Sequence, residues 1–213
     1  MTHTEIVNKV KSILNEHGEV DAVSIGEDRV LLEDYIESAI PDAVIMLAQK
    51  GYRVNAVSFS NIAGAETDVV SEDLIFDDFI SLIYAFSPAW IKPVTELTDV
   101  NSPQFKMAKN PYTAPGYNNP IGYSMPGGNL VFLPDMDRLE RPVKINGFYN
   151  AKYNPYKTNA ETGKKELDEN YELNAEPKEA AAVCYMTAAL VLGMFGDDQG
   201  KQRLSDIATN MLQ

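Results

Sequence analysis

The segment from residue 73 to residue 94 constrains the fold of this chain most strongly, because it combines an acidic turn, an apolar strand and the sole tryptophan. Asp77 and Asp78 favour a turn, since their short carboxylates accept hydrogen bonds from nearby backbone N–H groups. Residues 80–86 are rich in β-branched and aromatic side chains, which are typical of a half-buried strand. The segment therefore predicts a turn that leads into a strand.

The chain after this strand is expected to return alongside it. Pro88 favours a reversal, and residues 90–94 predict a second strand. Pro93 has no N–H group to donate, which places that strand at a sheet edge. Phe86, Trp90 and Pro93 are the expected packing anchors of this unit.

Charge limits the partners of the chain. The 213 residues include 31 acidic and 18 basic side chains, for a formal net charge of −13. Proteins that bind the phosphate backbone need a basic stripe, and Lys and Arg do not cluster here beyond pairs such as Lys164-Lys165. The sequence therefore predicts no direct binding of nucleic acid. No stretch is apolar enough to predict a membrane span.

No pattern predicts a catalytic, cofactor-binding or metal site. Cys184 is the only cysteine, and its apolar helical setting predicts a core residue. Asp197 and Asp198 lack the ligand spacing of a calcium loop, and Asp198 is expected to cap a helix. Two acidic clusters leave a hydrolase with paired carboxylates as a weak alternative. Their members are Asp73, Asp77 and Asp78, and Asp135, Asp137 and Glu140.

Helices are predicted at both ends of the chain. Thr2 and Glu5 form a capping-box pattern ahead of a helix that ends near Gly18. A second helical pattern covers residues 28–51, and Pro41 predicts a kink or a break within it. Residues 177–194 and 204–211 predict two helices that pack antiparallel because only a short turn joins them.

The middle of the chain predicts β structure and long connections. Residues 52–59 and 130–133 read as strands, and Asn146-Gly147 predicts a tight hairpin turn. Residues 101–129 predict a long ordered Pro/Tyr loop, with Tyr112, Tyr117 and Tyr123 as candidate intersubunit contacts. Residues 153–174 predict a surface excursion.

Together, these helical and β patterns predict a single α+β domain that covers residues 1–213. Residues 1–51 and 176–213 form its predicted helical core, a bundle of the N- and C-terminal helices. Residues 52–175 form a β-rich insertion, expected to be a hairpin, a small sandwich or a barrel.

One family resemblance is carried by four features: Asp77-Asp78-Phe79, the apolar strand, Trp90, and Lys92-Pro93-Val94. This pattern resembles the middle of tailed-bacteriophage head-to-tail connector proteins, the adaptor or ring proteins beneath the portal in podovirus-like and crAss-like phages. The resemblance extends to the C-terminal helical hairpin and short tail.

The resemblance implies a structural virion protein, made in the host bacterial cytoplasm, that is not an enzyme. Such a protein forms a homo-oligomeric ring, dodecameric in that family, which lines the DNA exit path without binding DNA specifically. Its other partners are the portal protein and the downstream tail ring or tail tube. The resemblance implies portal docking by the C-terminal tail, here Thr209, Asn210, Met211, Leu212 and Gln213.

The main alternative is a carbohydrate-binding or other ligand-binding α+β module. The 11 tyrosines suit sugar stacking as well as protein contacts. A sugar-binding module is expected to carry aromatic side chains on one sheet face beside polar neighbours. A ring subunit is expected to carry them on loops that reach a neighbouring subunit.

Overall fold

The computed structural model describes residues 1–16, 32–63, 74–75, 77–110, 112–113, 119–125, 129–133, 143–159 and 163–213. Within these ranges the chain is α+β, with helices at both ends and β structure in the middle. The chain divides into two compact units, which we call the helical unit and the β-rich unit. The helical unit comprises Met1–Asn55 and Lys152–Gln213, and the β-rich unit comprises Ala56–Ala151.

The described helices are α1 (His3–Glu16), α2 (Leu32–Gln49), α3 (Pro103–Lys109), α4 (Pro177–Met194) and α5 (Asp198–Leu212). The described strands are β1 (Ala56–Ala63), β2 (Leu74–Ile75), β3 (Phe79–Phe86), β4 (Ile121–Met125), β5 (Asn129–Leu133), β6 (Val143–Ala151), β7 (Tyr156–Thr158) and β8 (Lys165–Leu167).

The first two helices lie where their sequences predict helices, although the predicted end of the first near Gly18 and the predicted start of the second at residue 28 lie outside the described residues. The backbone N–H of Thr2 donates to Glu5 Oε2 at 2.9 Å, and the N–H of Glu5 donates to Thr2 Oγ1 at 3.2 Å. This reciprocal pair is the predicted capping box. Pro41 lies inside a single α2 helix rather than dividing it into two.

Helix α4 is the centre of the helical unit. It packs against α1, α2 and α5, and its buried residues occupy every side of the helix. Residues 195–197 connect it to α5, which confirms the predicted helical hairpin. Asp197, rather than the predicted Asp198, is the N-cap of α5, and its side chain accepts a hydrogen bond from the N–H of Gly200 at 2.9 Å.

The helical unit also holds a short hairpin. Strands β7 and β8 pair antiparallel in the segment that the sequence predicts to be a surface excursion, and their side chains are almost entirely exposed. The N–H of His3 donates to the carbonyl oxygen of Tyr171 at 2.9 Å, just after this hairpin. The observed boundary therefore places residues 152–175 with the helices, whereas the sequence assigned them to the β-rich insertion.

Among its described residues, the β-rich unit contains two antiparallel sheets, with strand orders β1-β6-β3 and β2-β5-β4. The predicted Asn146-Gly147 turn is wrong, because both residues lie within the continuous strand β6. Gly147 serves another purpose here. A Cβ atom at this position would lie 2.6 Å from Phe59 Cζ, so glycine permits the close approach of neighbouring strands.

One apolar core joins the two sheets. Its buried members are Phe59, Ala85, Trp90, Val94, Leu130, Phe132, Ile145, Tyr149 and Ala151. Residues 90–94 do not form the predicted second strand. The N–H of Trp90 instead donates to the carbonyl of Ser87 at 2.9 Å in a turn, and only Val94 pairs with β3, through two hydrogen bonds to Ala85 of 2.7 and 2.8 Å.

The expected Pro/Tyr loop at residues 101–129 contains regular structure. Helix α3 and strand β4 both lie within it. The Ser102 hydroxyl accepts a hydrogen bond from the N–H of Phe105 at 3.1 Å, and Pro103 occupies the first turn of α3. A serine cap followed by proline is a recognised helix start, so this prediction failed by giving too much weight to proline content.

Candidate interaction surfaces

Only one of the three expected packing anchors lies in the core. Trp90 is 3% exposed and packs against Phe132, with 5.6 Å between ring centroids. Phe86 is 40% exposed, and Pro93 is exposed as well. The structure corrects these two assignments for a simple reason: side chains alternate along a strand, and Ala85 occupies the inward position beside Phe86.

The outward side of the β1-β6-β3 sheet carries three aromatic residues, Tyr84 and Phe86 of β3 and Phe148 of β6, which we call the aromatic face. Tyr84 and Phe148 are register partners, and their ring centroids are 5.5 Å apart with a 47° angle between the planes. Tyr84 is 37% exposed, and Phe148 is half-buried. Partly exposed, clustered aromatic side chains are typical of interaction surfaces.

The strand residues that flank the aromatic face are polar and carry little charge. Ser58 of β1 is the register partner of Phe148, and Ser60 lies opposite Asn146, which in turn lies opposite Phe86. All three polar residues are exposed. Lys144 is the only charged residue in the sequences of β1, β3 and β6. The three strands are therefore poorer in charge than the chain as a whole, whose net charge is −13.

The sequence prediction missed the aromatic face. Its signal was present, because Tyr84 and Phe86 are two residues apart and residues two apart on a strand share a face. The predicted turn at Asn146-Gly147 removed Phe148 from the same strand system, so the three residues were not brought together.

The three candidate loop tyrosines have different positions. Tyr112 is 94% exposed, whereas Tyr123 is 5% exposed and packs edge-on against Phe105, with ring centroids 4.6 Å apart. Tyr117 lies outside the described residues. The structure therefore leaves Tyr112 as the tyrosine of this group that is available for a contact.

The backbone around Tyr112 is tied to the end of α3. The N–H of Tyr112 donates to Asn110 Oδ1 at 3.0 Å, and the Thr113 hydroxyl donates to the carbonyl of Met107 at 2.8 Å. Met107 is itself 55% exposed. These two bonds connect the Tyr112 backbone to Asn110 and the Thr113 side chain to the last turn of α3.

The predicted portal-docking segment is the end of α5. The Thr209 hydroxyl donates to the carbonyl of Ser205 at 3.0 Å and accepts from Lys50 Nζ at 3.4 Å. Met211 and Leu212 are half-buried, while Asn210 and Gln213 are exposed. An open depression runs along the same helix, and its lining includes Arg203, Asp206, Ile207 and Asn210.

A cluster of buried polar side chains lies inside the helical unit. His3 is 3% exposed, and its Nδ1 lies 2.8 Å from the Tyr153 hydroxyl, while its Nε2 lies 3.8 Å from Glu37 Oε1. The pKa of Tyr153 is raised well above its usual value, mainly by burial and to a smaller extent by the nearby Tyr171.

The only cysteine of the sequence is buried in the same unit. Burial raises the pKa of the Cys184 thiol to about 12, which keeps the thiol neutral and unreactive at neutral pH.

Only some of the carboxylates named for the hydrolase alternative lie among the described residues. Asp78 Oδ1 accepts a hydrogen bond from the Tyr149 hydroxyl at 3.0 Å. Burial and this bond raise the pKa of Tyr149. Asp73, Asp135, Asp137 and Glu140 lie outside the described residues.

The described residues were also compared with what a metal site or a membrane span requires. Among them, no three His, Cys, Asp or Glu side chains lie close enough together to hold a metal ion. No described helix is long and apolar enough to cross a bilayer.

Comparison of the sequence with protein-family models found no match, and comparison with curated proteins found none either.

Proposed function

We propose that this protein is a subunit of a homo-oligomeric ring that connects the portal of a tailed phage to its tail. The organisation of the chain supports this proposal most: helices from both chain ends share one compact unit, and a β-rich unit is inserted between them. This is the arrangement that the sequence predicts, and its C-terminal helical hairpin is one of the features to which the family resemblance extends. The mechanism is geometric, because a closed ring can present one surface to the portal and another to the next tail component.

The acidic charge is consistent with a DNA conduit. Net charge −13 repels the phosphate backbone at long range. A duplex can then pass through the ring without being held. Strands β1, β3 and β6, which carry the aromatic face, contain no acidic residue.

Portal binding by the end of α5 tests this proposal. Deletion of residues 209–213 should abolish capture of the chain by the portal protein encoded in the same genome. The melting temperature should change little, because this deletion removes only the last turn of α5. A matched control replaces Gln199 and Gln202, exposed on the first turns of the same helix, by alanine and should leave capture intact. Retained portal binding by the deletion variant would refute docking by this segment, and absence of binding by the unchanged protein would refute the connector proposal.

The position of the aromatic face favours a second candidate function, carbohydrate binding. Aromatic residues on one sheet face beside serine and asparagine are what a sugar-binding module is expected to show. Against it, the Tyr84 and Phe148 rings are tilted by 47° and pack against each other, so they do not form a flat stacking platform. Oligosaccharide binding that is lost in Tyr84→Ala, with unchanged melting, would establish this second function.

A further inference from the structure

We propose that His3 and Glu37 form a proton-dependent clasp between the start of α1 and helix α2. The clasp is an ion pair that exists when the His3 imidazole carries two protons and is absent when it carries one. Both residues belong to the helical unit, so the inference concerns that unit alone and does not depend on the proposed ring.

The first argument is a buried nitrogen atom without a hydrogen bond. His3 is 3% exposed, and its Nε2 has no hydrogen-bond partner. Buried side-chain polar atoms nearly always have one, so this nitrogen calls for a physical reason. Glu37 Oε1 lies 3.8 Å away, within reach of an ion pair but beyond a hydrogen bond. The nitrogen therefore faces a carboxylate that it can bind more closely in another charge state.

The Tyr153 hydroxyl determines which ring nitrogen carries the proton in neutral His3. It lies 2.8 Å from His3 Nδ1. Burial holds the pKa of Tyr153 well above its usual value, so the hydroxyl keeps its proton and can donate a hydrogen bond to Nδ1. The bond at one ring nitrogen fixes the tautomer at the other, which assigns the imidazole proton to Nε2. The N–H of the neutral ring therefore faces a carboxylate that is too distant to accept a hydrogen bond.

A second proton changes the bonding of the ring without a change in the backbone. The proton binds at Nδ1, and the Tyr153 hydroxyl turns from donor to acceptor, which a rotating O–H group allows. The ring then carries a positive charge beside Glu37, whose side chain is 29% exposed. A shift of about 1 Å in that side chain gives the distance of about 2.8 Å that is typical of a charge-assisted hydrogen bond. Imidazoles ordinarily take up this proton between about pH 8 and pH 5.

The titratable groups around His3 come from three parts of the helical unit. Helix α2 contributes Glu37, which is the one carboxylate among the described residues within ion-pair distance of the His3 ring. The segments before and after the β7–β8 hairpin contribute Tyr153 and Tyr171, whose rings pack edge-on. Helix α4 contributes Cys184, whose thiol stays neutral because burial raises its pKa to about 12. These groups leave Glu37 as the partner for a charged imidazole.

Two positive groups act on the same cluster. Burial raises the pKa of Cys184, and Lys9 and the amino group of Met1 partly offset this rise, so both lie within electrostatic reach. Glu5 of α1 is engaged in the capping box. A charged imidazole is thus opposed by two cations and by the loss of hydration. The Glu37 carboxylate is what stabilises that charge.

The clasp would add a second charged link between α1 and α2. The start of α1 is bonded to the segment after β8, where the N–H of His3 donates to the carbonyl of Tyr171 at 2.9 Å. Farther along, Lys11 and Glu33 form an ion pair that joins α1 to α2. Lysine and glutamate side chains ordinarily keep their charges between about pH 5.5 and pH 8, whereas an imidazole does not. Of the two links, only the one at His3 responds to a proton in this range.

A double-mutant cycle at two pH values tests the clasp. Urea unfolding is measured for the unchanged protein, His3→Gln, Glu37→Gln and the double variant. We expect no coupling between the two positions at about pH 8, and at about pH 5.5 a coupling that lowers the unfolding constant roughly fivefold. The coupling is present at low pH because the folded protein then holds the charged ring, and it is lost as the pH rises and the ring becomes neutral. Equal coupling at both pH values overturns the inference.

The matched control is the same cycle on the neighbouring ion pair, with Lys11→Gln and Glu33→Gln. This pair joins the same two helices, and its coupling should be the same at both pH values. A control coupling that grows at low pH by the same factor as the His3 coupling would show a general charge effect and would overturn the inference.

Nitrogen-15 NMR of the imidazole rings needs no change at His3, and it decides the question if His3→Gln does not fold. His17→Gln removes the signals of the other histidine in the sequence. We expect one protonated ring nitrogen, Nε2, at about pH 8 and two at about pH 5.5, with an Nε2 signal that shifts in Glu37→Gln. A His3 ring that is still neutral at about pH 5.5, or an Nε2 signal that does not respond to Glu37→Gln, overturns the inference. None of these outcomes bears on portal binding.

Discussion

Gly147 of β6 lies so close to the carbonyl oxygen of Tyr84 in β3 that no Cβ atom fits between the two strands. The Phe59 ring closes the space from β1, 2.6 Å from the position that a Cβ would take. The three-stranded sheet therefore depends on a glycine in the middle of its central strand.

Gly147→Ala should destabilise the protein by about 1–3 kcal/mol, because backbone cannot move aside as a flexible side chain can. Urea unfolding followed by circular dichroism measures this change. Gly193→Ala is the matched control, since the atom nearest to its added Cβ is Lys201 Cδ at 2.8 Å, in a side chain that can rotate. The control should be neutral or slightly stabilising in its helix. Equal stability of the Gly147→Ala variant and the unchanged protein would contradict the observed strand spacing.

Trp90→Ala should cost about 3–5 kcal/mol, since the side chain is 3% exposed in the core of the β-rich unit. The neighbouring Ile91 is 69% exposed, and Ile91→Ala should change stability by less than about 0.5 kcal/mol. Thermal melting of both variants checks the difference. Similar melting temperatures for the two would show that Trp90 is not an anchor.

The Cys184 thiol should resist labelling at pH 8 in the folded protein and react quickly after unfolding. Burial raises its pKa from 9.0 to about 12, so the native state holds the neutral form. Its contribution to stability is full below pH 9 and is lost as the pH rises from 9 towards 12, because only the unfolded chain ionises readily there. A thiol reagent with and without denaturant measures the first effect. Rapid labelling of the native protein would contradict the buried position.

Duplex DNA should not bind at physiological salt. The long-range electrostatic term supplies most non-specific affinity, and with net charge −13 that term is repulsive. A mobility-shift titration over several salt concentrations checks this. Binding that weakens as salt rises would reveal a basic surface and would argue against a conduit that leaves DNA free to slide.

The sequence predicted most of the helical unit because its signals are local. The Thr2 and Glu5 capping box acts over a few residues, and so does the short connection between α4 and α5, where Gly196 has a φ of +83°. The β-rich unit was harder to predict, because strand partners are distant in sequence. Asn146-Gly147 is a dipeptide typical of hairpin turns. In the structure, Gly147 lies within a strand instead, and its lack of a Cβ atom allows the carbonyl oxygen of Tyr84 to lie close to it. The outward position of Phe86 followed from the inward position of Ala85, which the sequence alone did not determine.

Electron microscopy of this protein mixed with the portal protein of the same phage tests the central claim most directly. We predict a closed ring of copies, coaxial with the portal, in which the C-terminal end of α5 faces the portal. Two results would contradict the account. One is single copies of the protein attached to the portal away from its axis. The other is portal particles without a ring when this protein is present in large excess.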